Sequence, residues 1–412
     1  MRYTRFTNCD LCDEGKLHHN KDLYIDNETG KIIEKPEDES DVEVVDLQGL
    51  ILAPGLLDVQ NNGVYGLNFS ALNSKSTDKD IKDFKRDYAD VMAKYLTTGV
   101  TAMCPTVTSN FPEVYEKVLE IYKRTRSKDE TDCMGAHCEG PFLSHQKKGC
   151  HPEETLRAAD KGIESMKEVY NKHNLSDYVA IVTAAPEVPG VLDSIPELVK
   201  QNIVYSIGHT NTDYITALKA VEKGATMLTH LYNAMPQPHH RDVGTVGLIS
   251  TPIPSKTPYY GIISDGVHVD PSMVTLAYRN NPEKCVLVTD AMHLIGLPDG
   301  AYKFGDQQIT KTGSRLYLKG TKTLAGAATT LPQGVRNLMS WAEIPLAEAV
   351  KTVTNNPARC INVQDKKGFL NVGCDADLVV MDHRGFLKVV YKLGKRVIAV
   401  DENSPSKLSA LL

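Results

Sequence analysis

Short apolar runs alternate with helical patterns over the middle of the chain. Eight apolar runs lie between residues 51 and 288, and they are Ile51–Val59, Ala102–Val107, Met134–Cys138, Val179–Ala184, Ile203–Ile207, Ala225–Leu228, Tyr259–Ile263 and Cys285–Val288. Apolar residues at helical spacing separate most of them, over Asp80–Leu96, Pro112–Arg126, Glu153–His173, Val191–Gln201 and Pro271–Asn280. Eight buried strands with helices between them are typical of a (β/α)8 barrel. The pattern therefore predicts an α/β fold built on a (β/α)8 TIM-type barrel.

The clearest strand–helix–strand unit is Ile203–Pro236. His209 comes just after its first strand, Ile203–Ile207, and His230 just after its second, Ala225–Leu228. Asn211 or Thr212 is the expected cap of the helix between them. Because a helical crossover makes the two strands parallel, both histidines are expected just past carboxyl ends that lie close together. Barrel folds keep their chemistry at these strand ends, so the unit predicts a functional site there.

The pattern of apolar and polar residues changes at the two ends of the chain. Residues 1–50 are polar with short alternating runs, and Asn27–Gly30 is typical of a hairpin turn between two of them. After the eighth run the patterns predict a β-hairpin over 296–319, helices at Pro332–Trp341 and Leu346–Thr354, and strands within 368–382 and 388–400. We therefore expect the terminal segments to pair into one small sheet beside the barrel.

Composition narrows the class of protein. The 412 residues are 41% apolar and 24% charged, as in ordinary globular proteins, and the net charge of −6 argues against a nucleic-acid partner. No apolar stretch approaches membrane-spanning length, and the first residues lack the apolar segment of a secretory signal. The nine cysteines are scattered and odd in number, unlike a disulfide framework. A cytoplasmic protein with no membrane partner is the expectation.

A set of metal-binding residue types occurs at the predicted strand ends. Glu139 follows the third strand, and with His209 and His230 it makes a His₂Glu set. Three protein ligands with a fourth position open to water are typical of catalytic zinc sites. Each residue alone is as well explained as a hydrogen-bonded histidine or a solvated carboxylate. Their occurrence at matching strand ends favours the metal site.

Other polar residues near strand ends are candidates for contact with a substrate. Asp290 follows the eighth strand, where it can take a proton from water beside a metal ion or orient a ligand histidine. His151 and His268 lie in loops, where substrate contact and an ordinary polar role are both open. Three donors after the sixth strand suit an anionic group such as phosphate, namely Asn233, the Ala234 backbone and Arg241.

Several motifs resemble those of a known enzyme family. The run Pro54–Asp58, Asp290 in VTDA and the segment 368–382 resemble the metal-dependent amidohydrolase superfamily. Seven further motifs, HCEGPFL, KKGCH, SIGHT, THLYNAMP, SDGVHVD, VTDAM and LAGAATT, occur in an order that resembles the N-acetylglucosamine-6-phosphate deacetylases within it. The resemblance covers nearly the whole chain.

This resemblance implies an architecture and a set of residue roles. It implies a catalytic barrel of residues 54–359, a small β-sandwich domain formed by residues 1–53 and 360–412, and a homodimer. The implied metal ligands are Glu139, His209 and His230, with Asp290 as general base and acid and His151 polarising the acetamide carbonyl. The implied substrate contacts are Asn233, the Ala234 backbone and Arg241 to phosphate, His268 to the sugar, and Leu324, Ala325 and Gly326 around the acetyl group.

One departure from the superfamily pattern concerns the number of metal ions. Many amidohydrolases carry His-x-His after the first strand for a second metal, and the matching positions here read Gln60-Asn61-Asn62. Amides are poor ligands for zinc-like ions. We therefore expect one divalent metal ion per chain, zinc first and other divalent transition metals as alternatives. Gln60 and Asn62 are counted among the substrate-binding residues.

The sequence thus predicts a hydrolase of amino sugar metabolism that converts N-acetylglucosamine 6-phosphate to glucosamine 6-phosphate and acetate. A second hypothesis keeps the barrel but changes the substrate to another N-acyl amine or a cyclic amide. Arg241 discriminates between the two, since a neutral substrate has no need of it. A third hypothesis is a catalytically silent assembly protein on the same scaffold. The intact ligand set and Asp290 argue against it, because a silent scaffold has no chemical need for them.

Overall fold

The centre of the molecule is a barrel of eight parallel strands. In this computed structural model, which describes residues 1–251, 256–304, 307–321 and 324–401, the barrel strands are Leu56–Asn61, Val100–Thr108, Ala136–Glu139, Val179–Ala184, Val204–Ile207, Met227–Leu228, Tyr259–Ile263 and Cys285–Val288. Each strand pairs in parallel with the next along the chain. Backbone hydrogen bonds just past the ends of the eighth and first strands close the ring, from Asp290 N to Gln60 O at 2.9 Å and from Asn62 N to Ala291 O at 3.0 Å. The predicted (β/α)8 TIM-type barrel is confirmed.

Helices cover the outside of the barrel. The α-helices of the described residues are Asp78–Leu96, Pro112–Ile121, Ile163–Tyr170, Val191–Lys200, Tyr214–Lys223, Pro271–Asn280, Leu331–Ala342, Leu346–Lys351 and Asn355–Cys360. Short 3₁₀ helices lie at His145–Lys147, Glu153–Thr155, Leu175–Asp177, Thr245–Ser250 and Pro282–Lys284. None of these helices is both long enough and apolar enough to cross a membrane.

Three helix predictions were wrong in extent. The predicted helix Glu153–His173 is a 3₁₀ turn followed by the separate helix Ile163–Tyr170, because Gly162 has a φ of 60° that ends any helix passing through it. The predicted helix Pro112–Arg126 ends at Ile121. The predicted helix Leu346–Thr354 ends at Lys351, and a separate helix begins at Asn355.

The cap predicted for the helix between the fifth and sixth strands was also wrong. Asp213 is the N-cap, and its side chain accepts a hydrogen bond from Thr216 N at 2.7 Å. The predicted cap residue Asn211 is held elsewhere, since its backbone N–H donates to Glu187 Oε1 at 2.6 Å. Thr212 lies next to the cap, with its backbone N–H donating to Thr210 Oγ1 at 3.1 Å.

The terminal segments form two sheets where one was predicted. The four-stranded sheet runs in the order Lys31–Ile33, Leu23–Asp26, Tyr3–Thr7 and Val42–Asp46. The six-stranded sheet runs in the order Lys395–Ile398, Leu387–Lys392, Leu378–Met381, Ile51–Pro54, Asp10–Asp13 and Lys16–His18. The sheets contact each other through Phe6 and Tyr391, whose rings pack edge to face with centroids 4.8 Å apart. The division at residues 54 and 360 stays a prediction, and residues 402–412 lie outside the described residues.

Shorter β segments complete the fold. The predicted hairpin after the eighth strand is a four-stranded antiparallel sheet, Gly300–Phe304, Gln307–Thr312, Arg315–Leu318 and Leu324–Ala327. The remaining strands are Gly63–Val64, Leu67–Asn68 and Asp132–Cys133. The fourth strand of the antiparallel sheet, Leu324–Ala327, brings residue 326 to the mouth of the barrel.

The apolar core of the barrel interior is continuous with that of the terminal sheets. Leu57, Ile181 and Ile263 inside the barrel belong to the same buried cluster as Phe6 and Val380 of the two sheets. A second cluster fills the space between the strands and the surrounding helices. Burial of this much apolar surface fixes the strands relative to the terminal sheets.

A buried ion-pair network also joins the barrel to the terminal sheets. Lys392 Nζ contacts Asp132 Oδ2 at 2.7 Å and Asp377 Oδ2 at 2.9 Å, and Lys367 Nζ contacts both of those carboxylates and Asp375. Burial alone would raise the pKa of Asp377, but the facing ammonium groups hold that pKa below its usual value. The three carboxylates approach closely enough to hold a metal ion. The two ammonium groups already supply the positive charge there, so the cluster is an ion-pair network.

Replacing Lys392 with methionine should destabilise the protein by about 3–5 kcal/mol, because it leaves a buried carboxylate short of a partner. Chemical denaturation of the variant and the wild type measures the difference. Lys395→Met is the matched control, since Lys395 is exposed and pairs with the exposed Asp129. Exposed pairs contribute roughly 0–1 kcal/mol. Equal decreases in the free energy of unfolding for the two variants would show that the network does not stabilise the fold.

Candidate active site

A cavity of about 530 Å³ opens at the carboxyl ends of the barrel strands. Its lining residues are Asn62, Asn68, Thr108, Glu139, Gly149, Cys150, His151, Pro152, His209, His230, Asn233, Ala234, Ile263, His268, Asp290, Met292, His293 and Gly326. They come from the carboxyl ends of seven of the eight barrel strands and from the segments that follow them. The cavity therefore brings together most of the side chains that the sequence marked as candidates.

Glu139, His209 and His230 meet at one point in this cavity. Glu139 Oε1 lies 3.0 Å from His209 Nε2 and 2.9 Å from His230 Nε2, and the two Nε2 atoms are 3.1 Å apart. All three residues are buried, with exposed fractions of 3–6%. Adjacent ligands of a tetrahedral zinc at about 2.0–2.1 Å lie roughly 3.3 Å apart. The spacing of the three atoms therefore fits a divalent ion.

The electrostatics of the cluster also favour a cation. Burial opposes ionisation of Glu139, yet its contacts with His209 and His230 hold its pKa well below the usual value. Burial likewise opposes a charge on His230, but the Glu139 carboxylate raises the pKa of that imidazole to about 9. The negative charge of Glu139 thus attracts positive charge to the point where a metal ion would lie.

The orientation of His209 suits a metal ligand. Its Nδ1 lies 2.8 Å from the carbonyl oxygen of Lys147, so Nδ1 carries the proton and donates it. The lone pair of Nε2 is then free to coordinate, an arrangement that commonly orients ligand histidines. His209 and His230 have positive φ angles of 47° and 29°. Such backbone strain clusters at functional sites, where the surrounding fold imposes it.

His151 presents a hydrogen-bond donor to the cavity. The backbone N–H of Ser109 donates to His151 Nδ1 at 3.1 Å, so the proton of the neutral ring is on Nε2. Burial, together with the nearby His209, lowers the pKa of His151 to about 3. The ring is therefore neutral near pH 7, with its Nε2–H as the free donor.

Asp290 lies beside the cluster at the end of the eighth strand. Its Oδ1 accepts a hydrogen bond from Asn62 Nδ2 at 2.8 Å. Burial, and then the negative charge of Glu139, raise the pKa of Asp290 to about 6. A carboxyl group with such a pKa exchanges protons readily near neutral pH.

Known proteins resemble this chain in sequence. The sequence model of the Amidohydrolase family matches residues 51–404, which is most of the chain. The chain belongs to the amidohydrolase family. Curated relatives include N-acetylglucosamine-6-phosphate deacetylases of Caenorhabditis elegans, 37% identical over 97% of this chain and 95% of the relative, and of Homo sapiens, 36% identical over 97% of each.

Solved structures give the same result. The N-acetylglucosamine-6-phosphate deacetylase of Pasteurella multocida is 28% identical, with a TM-score of 0.80 over 96% of this chain and 100% of that one. A variant of the Mycobacterium smegmatis enzyme in complex with N-acetyl-D-glucosamine-6-phosphate is 26% identical, with a TM-score of 0.78 over 97% of this chain and 100% of that one. Amidohydrolases are metal-dependent, which agrees with the Glu139, His209 and His230 cluster.

The residues expected to hold phosphate are only partly brought together in this amidohydrolase. Asn233 and Ala234 line the cavity, and Ala234 has a φ of 50° that turns the chain at its rim. His268 also lines it, with Nδ1 held by Asp265 Oδ2 at 2.7 Å. Arg241 does not line the cavity, and lies in an exposed loop where its own backbone N–H donates to His239 Nδ1 at 3.3 Å. Its expected phosphate contact stays a prediction.

Only some of the strand-one amides and of the residues expected around the acetyl group line the cavity. Gln60 is fully buried and donates from Nε2 to Glu139 Oε1 at 3.3 Å, so it lies behind the cluster and does not line the cavity. Asn62 and Gly326 line the cavity. Leu324 and Ala325 belong to the strand Leu324–Ala327, and their side chains lie outside the described residues.

Several residues that line or support this amidohydrolase site were missed. Asn68, Thr108 and His293 line the cavity, and Ser109 fixes the tautomer of His151. Thr108 ends the second strand, and His293 lies three residues after Asp290, so strand-end position was an available signal for both. Nothing in the local sequence of Ser109 indicates its contact with His151, which lies 42 positions away.

Proposed function

We propose that this chain hydrolyses the acetamide of N-acetylglucosamine 6-phosphate to give glucosamine 6-phosphate and acetate. The observation that carries the proposal is the cluster of Glu139, His209 and His230 with Asp290 and His151 around one cavity. The curated relatives over nearly the whole chain are deacetylases of that substrate by name. The chain is therefore a carbon–nitrogen hydrolase of amino sugar metabolism.

Glu139, His209 and His230 would hold one divalent ion, zinc. Two imidazoles and one carboxylate with a fourth position open are the donor set of catalytic zinc sites. When bound, such an ion lowers the pKa of water and polarises a carbonyl. The buried carboxylate of Glu139 supplies the negative charge that retains the cation, and Lys147 O orients His209.

Asp290 is the general base and acid. Its carboxylate takes a proton from the attacking water and then delivers it to the sugar nitrogen as the bond to the acetyl carbon breaks. Its pKa of about 6 lies near the range in which both transfers proceed readily. The hydrogen bond from Asn62 occupies Oδ1, so Oδ2 is the oxygen available to the proton.

His151 donates a hydrogen bond to the acetamide oxygen. The donor is Nε2–H, because Nδ1 already accepts from Ser109. Negative charge develops on that oxygen as water attacks, and a fixed donor in a buried cavity stabilises it. His268, held by Asp265, contacts the sugar, and Leu324, Ala325 and Gly326 border the acetyl group.

The phosphate is held by Asn233, the backbone of Ala234 and Arg241. Asn233 and Ala234 line the cavity, where the side-chain amide of Asn233 and the backbone N–H of Ala234 can face an anion. The backbone N–H of Asn233 already donates to His230 O at 2.9 Å. Arg241 reaches the phosphate from its exposed loop, which requires that loop to fold over the bound substrate. The length and the charge of this side chain suit a phosphate contact.

Arg241→Ala should therefore lower kcat/KM for the phosphorylated sugar by roughly 10- to 100-fold, mainly through KM, since a charge-assisted contact contributes about 1.5–3 kcal/mol. The ratio of kcat/KM for the phosphorylated sugar to kcat/KM for unphosphorylated N-acetylglucosamine should fall. Steady-state kinetics with both sugars measures it, with Arg86→Ala on an outer helix as the control. An unchanged preference would remove Arg241 from the phosphate site.

The enzyme acts in the cytoplasm as a homodimer. All nine cysteines are free and eight of them are buried, which suits a reducing compartment. The proposed division is a small β-sandwich domain of residues 1–53 and 360–412, of which 402–412 lie outside the described residues, and a catalytic barrel of residues 54–359. Light scattering of the purified protein tests the dimer, and a monomer at micromolar concentration would contradict it.

The deciding experiment is an assay of acetate release. The purified chain, loaded with zinc, is incubated with N-acetylglucosamine 6-phosphate, with unphosphorylated N-acetylglucosamine, and with a panel of N-acyl amines and cyclic amides. We expect acetate and glucosamine 6-phosphate from the first, much faster than turnover of any other. Faster turnover of a panel member would support the alternative amidohydrolase, and no turnover of any compound would support the silent scaffold.

A further inference from the structure

We propose that Asn62 is a positioning residue for Asp290. Its side-chain Nδ2 donates to Asp290 Oδ1 at 2.8 Å and holds that carboxylate in the orientation from which it exchanges protons. The direction of the bond is fixed, since an ionised carboxylate can only accept. This inference rests on the proposed function, in which Asp290 carries the proton, and it gives Asn62 a role other than substrate binding.

The backbone around Asn62 is itself fixed against the segment that carries Asp290. Asn62 N donates to Ala291 O at 3.0 Å, and Asp290 N donates to Gln60 O at 2.9 Å. On its other side, Asn62 O accepts from Phe69 N at 3.0 Å. The side-chain bond is therefore the third link between two short segments that are already held in register.

A buried network beneath these segments makes them rigid. Asp58 Oδ2 accepts hydrogen bonds from Thr289 Oγ1 at 2.6 Å, from Tyr95 OH at 2.8 Å and from Asn61 Nδ2 at 3.1 Å. Asp58, Asn61 and Tyr95 have no solvent exposure, and Thr289 has 3%. Thr289 and Asn61 immediately precede Asp290 and Asn62, so the network fixes the backbone under both side chains.

The geometry of Asp290 needs this support. Its φ of 41° is in the left-handed region, which a residue with a side chain adopts only where its surroundings impose it. A carboxylate can rotate about its Cβ–Cγ bond, and the hydrogen bond from Asn62 to Oδ1 fixes the plane of this one. In the proposed reaction Oδ2 is then the oxygen directed at the water and the sugar nitrogen.

The oxygen of the Asn62 side-chain amide supports the same interpretation. Asn62 Oδ1 is buried and has no hydrogen-bond partner among the described residues. A buried acceptor without a partner lowers stability. The orientation of the amide is therefore poor for stability but favourable for holding Asp290. Gln60 repeats the pattern more weakly, with Nε2 donating to Glu139 at 3.3 Å and Oε1 unpartnered.

The test is a double-mutant cycle between Asn62 and Asp290. Asn62→Leu keeps the approximate volume of the side chain and removes the donor. In the wild-type background we expect kcat to fall by about 10- to 100-fold, the range for one charge-assisted hydrogen bond, with KM within about threefold. In the Asp290→Asn background, Asn62→Leu should cause no further loss. Metal content, measured by elemental analysis, should stay unchanged in every variant.

Two kinetic outcomes would overturn the inference. A rise in KM with kcat unchanged would make Asn62 a substrate contact, and an equal loss of kcat in both backgrounds would show that it acts independently of Asp290. If the leucine variant does not fold, Asn62→Asp has nearly the same shape and places a like charge beside Asp290, so the same fall in kcat is expected from it. Acetate release by the wild type is measured alongside. Its absence would defeat the proposed function, whereas an active wild type with unchanged Asn62 variants would defeat only this inference.

Discussion

Replacing Asp290 with asparagine should lower kcat by roughly two to four orders of magnitude, the contribution of a positioned general acid and base. The amide has the shape of the carboxylate but cannot take the proton of the attacking water or return it to the sugar nitrogen. KM should change much less, since in the proposed reaction Asp290 acts on the reacting atoms and not on the phosphate. Steady-state assay of acetate release over a range of sugar concentrations measures both constants.

Two controls separate proton transfer from damage to the site. The metal content of Asp290→Asn should stay near that of the wild type, because the proposed ligands are Glu139, His209 and His230. Asp193→Asn makes the same chemical change on an exposed outer helix, where the carboxylate pairs with Lys223, and should leave kcat unchanged. Near-wild-type turnover by the Asp290 variant would rule out Asp290 as the proton carrier.

The second large effect is expected at Glu139. Glu139→Gln replaces a charged ligand by a neutral amide, which binds zinc-like ions weakly. The bound metal should fall from about one ion per chain to near zero. Activity should fall by roughly 10³-fold or more, since a catalytic metal ion stabilises the transition state by several kcal/mol. Glu153→Gln in the neighbouring loop is the control, because Glu153 is exposed and its carboxylate pairs with the exposed His145.

Elemental analysis of wild-type protein purified without chelator also decides the number of ions. After dialysis against metal-free buffer we expect one ion per chain, because Gln60 and Asn62 direct their N–H groups at Glu139 and Asp290. N–H groups cannot coordinate a cation. Two tightly held ions per chain, both needed for activity, would contradict the single-ion proposal. They would show that the two side-chain amides flip, so that their oxygens act as ligands.

The barrel and its ligand cluster were predictable because both follow from local periodicity. A buried parallel strand is a short apolar run, and the residue after it lies at the mouth of the barrel. Glu139, His209 and His230 each follow such a run, so the barrel fold by itself brings the three side chains together. The eighth strand, Cys285–Val288, was predicted to the residue, and Asp290 follows it.

Contacts that depend on several distant segments were not predictable. Asn62 donates to a residue 228 positions away, and Lys392 to one 260 positions away. Helix ends were wrong where a tertiary partner competed with local propensity, as when Glu187 held the predicted cap residue Asn211. Arg241 was chosen for its charge, and charge alone does not indicate whether a loop faces the cavity.

The ion-pair network has a consequence for how the chain is made. Ribosomes add roughly 5–20 residues per second, so Lys392 emerges on the order of 10–50 s after Asp132, with Lys367 only shortly before it. During that interval the barrel segments are already available, while the carboxylate of Asp132 has neither ammonium partner. The Asp132 carboxylate therefore gains its ion-pair partners only once the C-terminal segment has been made. Nascent chains released early, before residue 367, should depend on chaperones in a way that the finished protein does not.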